Sequence, residues 1–155
     1  MIRLRPIKLT KNPFDDKVHR RAIKQALDDT AQLALADFER TTATWNTKPG
    51  FDVTDDGEFG RVIGTDDENY ARVDEGTRPH VIVAHGKALA FAPGGSAKSR
   101  PRVIGSGSGS KGSGVVFTKR VNHPGTEGRQ FADTIGEKAE AELAAQIAIR
   151  IGAAG

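Results

Sequence analysis

The chain has 155 residues, 37% of them hydrophobic and 6% aromatic, with 18 glycines, four histidines, no cysteine and a net charge of +3. This length predicts a single domain over residues 1–155 with a real core, and the lack of cysteine excludes a disulfide framework or a thiolate metal site. The N-terminal segment lacks the apolar centre of a signal peptide, and no apolar run approaches the roughly 20 residues that span a bilayer, so the expectation is a protein made in a cytoplasm with no membrane partner.

"IRLRPIKL" alternates apolar and basic residues up to Pro6, which predicts a short edge strand or extended arm within residues 1–14. "NPFDD" then supplies a turn, a cap and acids for a first helical turn. Val18, Ala22, Ala26, Thr30, Ala34, Phe38 and Trp45 recur at steps close to three and four, and Ile23, Leu27 and Leu33 widen the stripe. The pattern predicts a helix over 15–45, about 45 Å long. After the stop "NTKPG", residues 51–64 read as a hairpin: a strand over 51–53, an Asp-Asp-Gly turn and a strand over 59–64. "DENYARVDEG" is a short helix, acidic at its start and closed by Gly76.

"HVIVAH" and "KALAF" are two short strands around Gly86. Thirteen of the twenty-two residues 93–114 are Gly or Ser, which predicts a flexible basic loop over 93–113 or a long hairpin tip. "GVVFTKRV" is a strand and "NHPGTEG" a turn. The closing helix, 130–151, places Phe131, Ile135, Ala139, Leu143, Ile147 and Ile151 four apart. The element order predicts an α+β fold: a long N-terminal helix, a mixed and mainly antiparallel sheet with a short inserted helix, and a C-terminal helix packed on the sheet.

Charge is segregated along the chain. Residues 52–75 hold nine acids against two arginines, whereas residues 76–126 hold eight lysines and arginines and no acid. Such blocks attract across a head-to-tail contact between copies, the kind of contact that closes into rings. The acid-free block also offers a surface to phosphate. Local chemistry is sparse. His80 and His85 lie five apart on one strand and point to opposite faces, and no carboxylate follows before Glu127. A metal site would have to borrow Asp74 or His123. "GSGSKG" matches a dinucleotide fingerprint in spelling, but it precedes a strand instead of opening a helix, and "PGGSAKS" lacks the Walker spacing. Ser106, Ser108, Ser110 and Ser113 have no rigid elbow. Asp55, Asp56, Asp66, Asp67 and Glu68 lack the EF-hand spacing. The expectation is therefore no catalytic residue, no metal and no cofactor.

"RVIGTDDENYARVDEGTRPHVI", then "KALAF", a Gly-rich segment and "VFTKRVNHPGTEGRQF" before a last helix resemble the neck, or head–tail joining, family of minor virion proteins in tailed bacteriophages. The likeness covers about residues 45–135 and rests on Gly64, Thr65, Tyr70, Ala71, Val73, Glu75, Gly76, Thr77, Pro79, His80, Leu89, Phe91, His123, Pro124, Gly125, Arg129 and Phe131. Loop 93–113 varies across such sequences, and nothing carries over to it. The resemblance implies a structural protein of the virion, assembled in the host cytoplasm. Copies of it would form or surround a ring, with portal, adaptor, stopper and tail proteins as partners and passing DNA nearby. On that view Tyr70, Gly76, Thr77, Pro79, His80, His123, Pro124 and Gly125 are structural. Asp55, Asp56, Asp66, Asp67 and Glu75 would face Arg78, Lys119 and Arg120 of a neighbour, and Lys98, Arg100, Arg102 and Lys111 would touch another ring, a subunit or DNA. A tail-terminator or tail-completion protein is the nearest alternative. A basic nucleic-acid-binding domain is the alternative of another class, although only Phe91 and Phe117 lie in its would-be surface.

Overall fold

The computed structural model describes residues 2–4 and 17–154, with side-chain surroundings from 17 to 152. The elements run β1 (Ile2–Leu4), α1 (Lys17–Thr42), β2 (Asp52–Asp55), β3 (Arg61–Gly64), α2 (Glu68–Glu75), β4 (Gly76–Thr77), β5 (His80–Val83), β6 (Leu89–Phe91), β7 (Val116–Thr118), β8 (Arg120–His123), β9 (Thr126–Glu127) and α3 (Phe131–Ala154). This is the α+β class expected from the sequence. The break at Pro6 and the start of the first helix at 15 lie outside the described residues.

The core is a helical pair. On α1, Ala22, Ala26, Leu27, Thr30, Ala31, Ala34 and Phe38 are buried, and on α3 Phe131, Ile135, Ala139 and Leu143. The two stripes run at a four-residue step, so each helix turns one face to the other. Small side chains on α1 let the α3 residues come close. Lys138 donates from Nζ to Asp37 Oδ2 at 2.5 Å, and Arg150 pairs with Asp29. Higher numbers on one helix meet lower numbers on the other, so the helices are antiparallel. Two residues expected in the α1 stripe are on the surface: Val18 is 52% and Leu33 50% exposed. Leu33 lies six residues, about 240°, around the helix from buried Leu27.

β3 is the centre of a three-stranded antiparallel sheet, β1-β3-β2, with Ile2 opposite Ile63 and Val53 opposite Ile63 on the other side. Ile63 is 1% exposed and belongs to the helical core. The expected hairpin is present, with a longer turn: Asp56 N donates to Gly60 O at 3.0 Å, and Phe59 falls in the turn. The buried guanidinium of Arg61 donates to Asp28 Oδ1 at 2.7 Å and to Gly60 O at 2.7 Å, so its charge has partners.

The remaining strands form a separate two-stranded ribbon instead of extending this sheet. β4 pairs with β9, β5 with β8 and β6 with β7, all antiparallel. The stretch expected as one strand over 114–121 is split between β7 and β8. α3 packs chiefly on α1 and on the edge strand β1.

Candidate docking surface

The ribbon begins where α2 ends. Asp67 caps α2 by accepting from Tyr70 N at 2.8 Å, and Gly76 ends it at φ 83. Asp74, in the last turn of α2, reaches α3: Phe131 N and Ala132 N donate to its Oδ1 at 2.5 and 3.2 Å. Arg129 N and Gln130 N donate to the carbonyls of Val73 and Asp74, each at 3.0 Å. One short helix thus holds both ends of the excursion 76–126. Burial pushes the Asp74 carboxyl above its ordinary value of 3.8; Asp133 adds to this, while the two amides pull it down.

The two motifs that carried the family resemblance meet at this base. Gly76 stands opposite Glu127 and Thr77 opposite Thr126, whose hydroxyls lie 3.1 Å apart. Gly125 (φ 87) passes so close to Thr77 that a Cβ there would stand 2.3 Å from Thr77 O. Tyr70 is buried among Phe38 and Phe51 with ring centroids at 6.0 and 5.1 Å. Its phenol is pushed well above the usual range by burial and by Asp74, and its hydroxyl has no hydrogen-bond partner among the described residues. Pro79 and Pro124 are exposed beside the base.

His80 and His123 are cross-strand partners, stacked with ring centroids 5.0 Å apart. His80 Nδ1 donates to Arg78 O at 2.8 Å, whereas His123 Nδ1 accepts from Gly125 N at 3.1 Å. The backbone therefore fixes opposite tautomers for the two rings. His85 lies beyond β5 in the segment before β6, so strand alternation does not apply to it. Among the described residues no group of three or more His, Cys, Asp or Glu side chains is placed to hold a metal ion.

Past the base the ribbon bends. Five residues, 84–88, separate β5 from β6, while Lys119 alone separates β7 from β8; Ala84 N donates to Lys119 O at 3.0 Å. The far end folds back onto the helices. Lys98 Nζ donates to Thr44 O at 2.8 Å and Asn46 Oδ1 at 3.0 Å, and Ser106 Oγ donates to Arg40 O and Thr41 O at 2.9 and 2.8 Å. The Gly/Ser segment satisfies the last carbonyls of α1, where a cation also suits the helix dipole. Arg102 N donates to Arg129 O at 2.8 Å and its Nε to Gln130 Oε1 at 2.7 Å. Arg100 and Lys111 are exposed.

Between base and tip the ribbon leaves apolar side chains bare: Val81 (46%), Val83 (58%), Phe91 (40%), Val115 (61%), Val116 (43%) and Phe117 (70%). Strand runs apolar at every position are the mark of strands covered on both faces. Here neither face is covered, and only Ile104 from residues 76–126 packs against the core. Sequence reading gave these runs as strands but not their exposure; the unbroken apolar "VIV" and "VVF" were the available signal.

The charged candidates divide. Asp67 serves α2 as its cap, and Asp55 pairs with Arg61 at 3.2 Å. Asp56 lies in the β2–β3 turn, bonded through its amide to Gly60. Asp66 and Glu75 are exposed. Arg78, Lys119 and Arg120 are exposed on the ribbon, and no ion pair among the described residues uses them. No helix is long and apolar enough to cross a membrane among the described residues. Comparison with family models, curated proteins and solved structures finds no match for this chain.

Proposed function

We propose that the protein is a structural component of a tailed-phage virion, located at the head–tail junction, where copies of it form or surround a ring between the portal assembly and the tail. It works by docking, with no substrate turned over. The observation that carries this reading is the ribbon. Roughly a third of the chain leaves the core, is anchored at its base by the two motifs of the family resemblance, and presents uncovered apolar side chains beside cations that form no ion pair among the described residues. A surface of that kind needs a protein partner. A neighbour's acids over 52–75, Asp66 and Glu75 foremost, are the matching charge.

Mass spectrometry and cryo-electron microscopy of purified particles test the reading. The expected result is several copies of the chain at the junction; a ring capping the tail tube instead would make it a tail-terminator or tail-completion protein. Absence from finished particles would overturn the virion role. A salt titration of DNA binding tests the nucleic-acid alternative, which requires a logarithmic slope of about −7 for eight neutralised phosphates. A shallow slope is expected, since half-exposed valines and phenylalanines interrupt the cations.

A further inference from the structure

The ribbon's most exposed aromatic residue and a groove on the body form a complementary pair on one chain. Phe117 is 70% exposed and Val115 61%. Val115 lies just before β7, two positions along the chain from Phe117. The cross-strand partner of Phe117 is Ala90, too small to cover it. The groove, of about 460 Å³, lies between the end of α1, α2, the ribbon base and the folded-back tip. Trp45, Val73 and Ala97 give it apolar walls, and Thr47, Asn69 and Glu127 are polar lining residues. Phe117 is not among the residues that line it.

Charge favours a second copy as the occupant. Lys119 and Arg120 follow Phe117 closely along the chain, without ion-pair partners among the described residues. α2, which lends Asn69 and Val73 to the groove, follows exposed Asp66 and ends on exposed Glu75. Arg129 and Lys98 also line the groove, but the Lys98 ammonium already serves Thr44 O and Asn46 Oδ1. We infer that each copy seats Val115 and Phe117 in the groove of the next, with Lys119 and Arg120 reaching that copy's α2 acids. Knob and groove occupy different parts of the chain, so the contact is head-to-tail and propagates around a ring. This inference rests on the self-association in the proposed function and names its contact.

The chain has no cysteine, so introduced thiols report one pairing without background. Full-length Phe117→Cys and Thr47→Cys variants, mixed under mild oxidation, are expected to give a disulfide dimer between unlike variants in excess of either like pair. Cysteine-free Phe117→Asp is expected to self-associate about thirtyfold or more weakly, as for loss of an aromatic anchor, with unchanged circular dichroism and melting. No mixed disulfide, a dimer through Phe117→Cys alone, or Phe117→Asp associating like the parent would overturn the contact. Mass spectrometry of particles separates the two claims. The chain at the junction with no mixed disulfide sinks this contact alone. A mixed disulfide from a chain missing from particles sinks the virion role alone.

Discussion

Asp74 shows how much one side chain can join. From the end of α2 it accepts the first two amides of α3, so its carboxylate spans the gap that the whole ribbon excursion opens. Replacing it with Ala should cost about 1–2 kcal/mol, the usual loss for a helix cap, and Asn should cost less by keeping the oxygen. The pH sign follows from burial. A carboxyl whose folded pKa is raised holds its proton more readily folded than unfolded, so this contribution to stability is largest at acid pH. It declines as pH rises through the window between the ordinary and the raised value and is then constant. Urea unfolding between pH 3 and 7 should show that component in the parent and lose it in Asp74→Asn. Tyr70 offers the opposite case: a hydroxyl buried without a partner among the described residues. Tyr70→Phe should raise stability by about 1 kcal/mol, because the desolvation cost of that hydroxyl disappears; a lower melting temperature would mean that the hydroxyl has a role the buried aromatic cluster does not reveal.

Among the elements, the helical pair was the most legible. The four-residue stripe on α3 named Phe131, Ile135, Ala139 and Leu143 correctly because a helix buried on one face prints its period in the sequence. The same logic overreached at Val18 and Leu33, which are apolar yet exposed, since apolar identity alone does not say which face is covered. α2 was equally readable from Asp67 and Gly76, where capping chemistry is local. The ribbon pairing was not, because Gly76 and Glu127 meet across 51 positions and no local signal announces such a partner. The exposure of "VVF" was invisible for the same reason: coverage is a property of neighbours. Two substitutions probe these packings. Ala26, fully buried on α1 against α3, becomes overpacked as Leu, with an expected loss of about 1–3 kcal/mol. Gly125→Ala forces a side chain into Thr77 O at a left-handed backbone position, which should unpair β4 from β9 and show as faster amide exchange at Thr77 and Thr126.

For the molecule as a whole, the division of labour is between a helical body that folds and a ribbon that presents. The core draws on residues before Asp74 and after Gln130, with Ile104 the sole hydrophobic side chain of the acid-free block packed against it. Arg20, Arg40, Arg61, Lys138 and Arg150 of the body are ion-paired, whereas Lys87 is exposed in the bend after β5. A protease that reads basic residues needs a segment that can be drawn out of the structure. In the free chain trypsin should therefore cut after Lys87 before it cuts after any ion-paired body cation. The nicked chain should stay together, because the helical core is untouched and the tip remains tied to Thr41, Thr44 and Arg129 by hydrogen bonds. In an assembly that covers the ribbon, the same cut should slow sharply while sites on the outer face of α1, such as Arg21 and Lys24, keep their rate. Intact mass measurement over a digestion course reads both quantities. Equal cleavage at Lys87 in free and assembled protein would mean that the ribbon faces solvent in the assembly, and its bare valines and phenylalanines would then need another explanation.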